Sequence, residues 1–199
     1  MPTKTFFNLP KEKMLRILKA GKKEFSRVPL EKAVIANIAK DAGIPRGSFY
    51  QYFQSLEDLF AFIIDYRYGL SKRKFENYLK ENNNDIYEAL KVKFANEIEK
   101  LTKEENKQFR INTMNILFEE NKYPKEFVNY IFNRTSNIDM NFFPEEYQNE
   151  DKFSDVVGLL KMVGDNCLQQ YLTSTVSKDK IKEDYNKYVD FLKIGYGKI

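Results

Sequence analysis

The sequence predicts an all-α protein in two parts: a small amino-terminal domain of three helices and a larger helical body, about nine helices in total. Three observations predict it. Gly and Pro are few, 8 and 6 in 199 residues, and no run alternates apolar and polar with the period of a strand. Apolar residues recur instead at i, i+3, i+4, i+7 along most of the chain. Charge is split as well: residues 1–55 hold 8 Lys and 3 Arg against 3 Glu and 1 Asp, a net of +7, in a chain whose total is +4. A basic first quarter on a mildly acidic remainder suits a polyanion partner for the first part only. A solvated basic surface would carry the same charge.

Residues 1–9 read as a frayed arm. From about Pro10 to Arg27 a first helix buries Met14, Ile17, Leu18, Gly21 and Phe25 and turns Lys11, Lys13, Arg16, Lys19, Lys22 and Lys23 outward. Residues 30–42 form a second helix with Ile35, Ile38, Ala39 and Ala42 on one face. Gly43 stops it, because a helix end needs a residue free to turn left-handed. Pro45 keeps Ile44 out of the α region and suits the first turn of a third helix, Pro45 to about Tyr52. Phe49 and Phe53 give that helix its apolar face, and the small Ala39 lets the two helices cross closely. Arg46, Gly47, Ser48, Tyr50, Gln51 and Tyr52 are left at its start and outer side. A short helix offering arginine, small and hydroxyl residues fits a DNA major groove. Arg46 is assigned to a guanine edge or phosphate, Ser48 and Gln51 to base or backbone hydrogen bonds, Tyr50 and Tyr52 to phosphates, and Gly47 to close backbone approach. On spacing alone an ordinary αα-corner fits as well, and Tyr52 also suits a buried position.

The run IAKDAGIPRGSFYQYFQSLEDLF resembles the DNA-binding signature of the TetR (tetracycline-repressor-like) family of bacterial regulators. The I-A pair, the A-G pair, the GSFYQYF core from Gly47 to Phe53 and the S-x-E-x-L continuation from Ser55 match in order. The resemblance implies a helix-turn-helix DNA-binding domain over residues 1–54 and a helical effector-binding and dimerisation domain over 55–199. It further implies a cytoplasmic homodimer, most often a repressor, that leaves double-stranded operator DNA when a small-molecule effector binds. Two positions depart from the family pattern. A Thr that usually caps the first helix of the pair and bonds a phosphate is replaced here by Ala33 and Val34. A Lys common at the start of the following helix is Leu56 here, which removes a cation from that site.

Ser55-Leu56-Glu57-Asp58 is a capping motif, with Ser55 as N-cap and Asp58 answering it. It opens a helix to about Lys80, on the order of 37 Å long, with Leu59, Phe60, Ile63, Ile64, Arg67 and Leu70 on its inner line. Glu81 to Asn84 breaks the chain. The next helix, about Asp85 to Leu101, carries Ile86, Leu90, Phe94 and Ile98. Thr102-Lys103-Glu104-Glu105 caps another, with Phe109, Met114, Leu117 and Phe118. A helix from about Pro124 to Arg134 holds Phe127, Ile131 and Phe132, and Thr135 to Asp151 reads as an irregular loop containing Phe142, Phe143 and Pro144. Two amphipathic helices close the chain, about Lys152 to Val176 and Lys178 to Tyr196. Such a pair either closes the protomer's own core or joins its copy in a four-helix bundle. The resemblance favours the bundle, which places Val156, Leu160, Val163, Gly164, Cys167, Tyr185, Tyr188 and Leu192 at a dimer interface.

Several chemistries are excluded. There is no His, so His-based triads and His-ligated zinc are absent, and the single Cys, Cys167, permits neither a Cys-based zinc finger nor an internal disulfide. Neither a Gly-rich phosphate loop nor a G-x-S-x-G elbow occurs. No enzyme, cofactor or metal is expected. MPTKTFFNLP lacks the apolar core of a signal peptide, and the longest apolar run, Leu59 to Ile64, is far too short to cross a bilayer, so no membrane partner is expected. Most of the 17 Phe and 13 Tyr lie in the body, so an effector pocket there would be apolar with tyrosine hydroxyls as polar points. Phe94, Ile98, Met114, Phe118 and Tyr171 are candidate lining residues, and each also suits ordinary core packing. The alternative to a regulator is a helical ligand carrier or a protein-interaction scaffold with a vestigial DNA-binding domain.

Overall fold

Pro10 has no N–H to satisfy, and α2 (Lys11–Arg27) begins directly after it. The computed structural model describes residues 1–119, 122–135, 140–143, 145 and 153–196. These hold ten α-helices and two 3-10 turns. Packing divides them into two units, Met1–Tyr68 with Glu104–Ser136 and Gly69–Lys103 with Asn137–Ile199. The expected division at residues 54 and 55 does not coincide with either boundary.

In the first unit, α1 (Lys4–Phe7) replaces the expected frayed arm. Phe6 is wholly buried among Tyr52, Phe53 and Phe62, with ring centroids 4.8 to 6.2 Å away. The second expected helix, residues 30–42, is also shorter than its pattern suggested. Leu30–Lys32 form a 3-10 turn with Leu30 buried, Ala33 and Val34 are extended, and α3 spans only Ile35–Ala42. Gly43 follows at φ 66°, and the N–H groups of Gly43 and Ile44 bond back to Lys40 and Ala39 in a Schellman closure. The third helix of the head, α4 (Arg46–Tyr52), packs on α3 and α1.

α5 (Leu56–Glu81) starts as its capping motif predicts. Asp58 N–H donates to Ser55 Oγ at 3.3 Å, and the Asp58 carboxylate accepts from Gln54 N–H at 3.2 Å. Its first turns bury Leu59, Phe60, Ile63 and Ile64. A Cβ on Gly21 would lie 2.8 Å from Leu59 Cδ2 and 2.9 Å from Ile63 Cδ1, so any larger residue there would push these two side chains aside. Leu56, which stands where the family commonly has Lys, packs against this core. α7 (Glu104–Phe118) and α8 (Lys125–Thr135) complete the unit with Phe109, Ile116 and Ile131. Phe60 stacks on Phe109 at 5.6 Å and meets Phe25 edge-on at 5.1 Å. The head is therefore buried against helices that lie fifty residues and more further along the chain.

In the second unit, Asn83 and Asn84 reverse the chain at φ 55° and 59°, a region asparagine tolerates. α6 (Ile86–Leu101) is capped by Asp85, which accepts from the N–H groups of Tyr87 and Glu88. Thr102 closes α6 by donating to Glu99 O instead of opening α7. α9 (Phe153–Thr173) and α10 (Lys178–Tyr196) pack on each other, and α10 packs on α6. Tyr185 stacks on Phe94 at 3.9 Å, and a Cβ on Gly164 would meet the Tyr185 ring at 3.4 Å. Lys91 pairs with Asp190, and Lys193 with Asp85 and Glu88. In the expected loop, Met140–Phe142 form a 3-10 turn, and Phe143 packs edge-on against Phe75 and Phe153. Residues 136–139, 144 and 146–151 of that loop lie outside the described residues.

These contacts show where the residues of two further expectations lie within the protomer. Of the residues assigned to a dimer interface, Val156, Leu160, Gly164, Cys167 and Tyr185 are buried in the protomer's own core, while Val163 and Leu192 are partly buried against it. The broad stripe of α9 faces α10, and only Tyr188 of that set is exposed. Of the pocket residues, Phe94 and Ile98 fill the same core and Tyr171 is packed beside it. Met114 and Phe118 belong to the other unit, where Phe118 is 75% exposed.

Candidate nucleic-acid interface

α4 is amphipathic with a period that separates its residues cleanly. Phe49, Tyr52 and Phe53 are buried at i, i+3 and i+4. Arg46, Gly47, Tyr50 and Gln51 are exposed on the opposite side, with Ser48 half-buried beside them. Five of the six residues assigned to DNA thus share an outward surface. Tyr52 is the correction: its ring lies inside, edge-on to Phe6, with the Lys13 ammonium 5.8 Å from its centroid. Its position three residues from Phe49 puts it on the inner face. No Cβ neighbour would meet a side chain added at Gly47, so nothing inside the protein requires glycine there.

The start of α3 is organised by a residue that composition hides. Val34 is its N-cap and has no side-chain oxygen to offer. The buried Glu24 of α2 supplies one instead: Oε1 accepts from Val34 N–H at 2.9 Å and from Asn37 Nδ2 at 3.1 Å. Arg27 donates Nε and Nη2 to the same carboxylate at 3.0 and 2.7 Å. Burial pushes the carboxyl pKa up, but the bonds from Arg27, Val34 and Asn37 outweigh it and hold the group below its ordinary 4.5. The signal was readable, since Glu24 lies seven residues from Ile17 on the buried face of α2.

Two further ties hold the head. Asn112 of α7 donates to Phe25 O at 2.8 Å, closing an orphan carbonyl at the end of α2, and Lys22 bonds Glu105 and Asn106. Glu31 accepts from Lys122 at 2.8 Å and Tyr123 at 2.7 Å; partial desolvation raises its pKa, but these bonds outweigh it and hold it at about 2. Lys22, Lys23 and Arg27 are thus engaged with Glu105, Asp41 and Glu24, so part of the basic charge of residues 1–55 serves the fold. Arg46 and Lys40 are exposed on the two helices of the turn. A short helix with an arginine, two hydroxyls and an amide outward, braced from behind by aromatic rings, can enter a groove about 12 Å wide and address base edges and phosphates.

Residues 17–63 match the family described as bacterial regulatory proteins, tetR family. The chain is similar to the uncharacterized HTH-type transcriptional regulator YdgC of Bacillus subtilis (strain 168), 39% identical over 71 residues, which are 36% of this chain and 36% of that protein. The similarity therefore spans about a third of that relative's length. Its fold is similar to a TetR family transcriptional regulator from Chloroflexus aurantiacus J-10-FL, with TM-score 0.51, 21% identity and 98% of both chains covered. It is also similar to the transcriptional regulator FadR from Bacillus subtilis in complex with stearoyl-CoA, with TM-score 0.61, 19% identity, and 89% of this chain and 96% of that one covered. Among the described residues, no helix is long and apolar enough to cross a membrane, and no group of three or more potential ligand side chains could hold a metal.

Proposed function

We propose that this chain, a member of the TetR family of bacterial regulatory proteins, is a cytoplasmic homodimer that represses transcription by holding an operator and leaves it when a small apolar or aromatic ligand binds. The observation that carries this reading is the outward face of α4, where Arg46, Gly47, Ser48, Tyr50 and Gln51 stand together on a helix pinned by buried rings. In this reading residues 1–54 read DNA and residues 55–199 bind the effector and dimerise. Two such helices related by a two-fold axis address successive major grooves about 34–36 Å apart. The dimer contact falls on the apolar residues that the protomer leaves exposed at its carboxy-terminal helices: Met162 on α9, and Tyr188, Phe191 and Ile194 at three-residue steps on α10. Release is a population shift, in which the ligand favours a spacing of the reading helices that no longer matches the grooves. α5 contributes to both packing units and is the element through which the ligand acts. The stearoyl-CoA of the Bacillus FadR supports an effector with a long apolar part, and Tyr171, partly buried in the aromatic second unit, remains a candidate contact.

The test is binding to random-sequence duplex DNA across a salt series. A regulator shows a steep fall of log K with log salt, and Arg46→Ala lowers the slope by about 1 without changing the melting temperature. Negligible binding at low salt would refute the reading and leave a carrier or scaffold in its place.

A further inference from the structure

α4 is seven residues long, so its unpaired terminal carbonyls are a large fraction of its backbone. They are not closed by neighbouring residues alone. Thr3, forty-eight residues earlier, donates its Oγ1 to Gln51 O at 2.6 Å and its N–H to Tyr52 O at 2.9 Å. The same hydroxyl oxygen accepts from Phe6 N–H at 3.4 Å, so Thr3 is at once the N-cap of α1 and the far-end cap of α4. Phe6 then anchors this junction by burying its ring against Tyr52, Phe53 and Phe62.

We propose that α1 is a clasp on the reading helix and that Thr3 is a positioning residue for sequence recognition, holding the carboxy-terminal turn of α4 in the geometry that Tyr50 and Gln51 need. Gln51 is both a capped residue and an exposed one: its carbonyl is held by Thr3 while its side chain faces outward. Loosening the cap frees the turn that carries Gln51. The cost falls on base discrimination, which depends on side-chain placement to within fractions of an ångström. Phosphate attraction depends on charge and is left in place. This inference rests on the DNA-binding reading above.

The experiment uses the full chain and a duplex enriched from a random-sequence library by the wild-type protein. Thr3→Val keeps the shape and backbone N–H but removes the hydroxyl; Thr3→Ser restores the donor. The ratio of affinities for the enriched and the random duplex is expected to fall about fivefold in Thr3→Val, the worth of one such hydrogen bond. Affinity for the random duplex and its salt slope stay at wild-type values, and Thr3→Ser recovers the ratio. An unchanged ratio in Thr3→Val overturns the clasp. So does an equal loss on both duplexes, because a merely structural residue would weaken both together. A wild-type protein that enriches no sequence defeats the regulator reading itself, and with it the clasp; an enriched sequence that Thr3→Val binds normally defeats the clasp alone.

Discussion

Glu24→Ala removes a buried carboxylate that orders the entry of the helix-turn-helix. Val34 N–H and the Asn37 amide lose their acceptor, and a hydrogen bond to a charged group is worth about 1.5–3 kcal/mol. The Arg27 half of the arrangement adds little, because that side chain is 54% exposed and water replaces the carboxylate. Two such bonds sum to about 3–6 kcal/mol, but Val34 and Asn37 are themselves exposed and water recovers part of it, so a loss of roughly 2–4 kcal/mol remains, which at 2–4 °C per kcal/mol lowers the melting temperature by about 5–15 °C. Glu24→Gln keeps one carbonyl oxygen for Val34 and Asn37 and is expected to cost about half as much. The pH dependence separates charge from shape. The folded-state pKa is depressed below 4.5, so the carboxylate's contribution is present above that value and is lost as pH falls through the lowered folded value. The stability gap between wild type and Glu24→Gln therefore narrows as pH is taken from 7 to below 4.5. Urea unfolding followed by circular dichroism at each pH reads the gap. Equal stability of wild type and Glu24→Gln at pH 7, or a gap that does not change with acid, would refute the assignment.

Gly47→Ala has open space around the new methyl and a helical backbone. Stability is expected to hold or rise by about 0.5–1 kcal/mol, whereas affinity for the enriched duplex falls about tenfold, the cost of one disturbed base contact; thermal melting and fluorescence anisotropy on one preparation check both. Phe191→Glu places a charge at a residue 59% exposed in the protomer, so sedimentation velocity should show monomers where the wild type is dimeric, with little change in the protomer's circular dichroism. A monomeric wild type would end the dimer proposal. Cys167 is buried, and burial, with the Asp184 charge second, raises its thiol pKa. An aromatic disulfide reagent at pH 8 should modify it only at the rate of unfolding, and rapid modification of the native protein would contradict its placement.

The turn between α3 and α4 was legible because its causes are local. A glycine free to adopt φ 66°, a proline two residues on and a period that alternates Phe49 and Phe53 with Arg46 and Tyr50 act within a few residues of one another. α1 was not legible, since four residues carry no period and its helix is held by rings forty-six and more positions away. The place of Glu24 on the buried face of α2 follows from its spacing to Ile17, but its partners, Val34 and Asn37, lie ten and thirteen residues on and no local pattern names them. The make-up of the first packing unit was hidden for the same reason: Phe109, Ile116 and Ile131 have the periodicity of any amphipathic helix, and nothing in that pattern says they cover the head.

The order of the helices from α2 onward, their breaks at Gly43, Asn83 and Asn84, and most of the faces that leave water follow from the chain alone. Tertiary structure decided what each face leaves water for. It gave the stripe of α9 to α10 of the same protomer, turned Tyr52 inward, and left Phe191 and Ile194 exposed. Apolar burial has no direction and accepts any partner of the right shape, so periodicity names the buried side without naming its neighbour. Hydrogen bonds such as those of Glu24 and Thr3 are directional, but their partners meet only once distant segments have folded together.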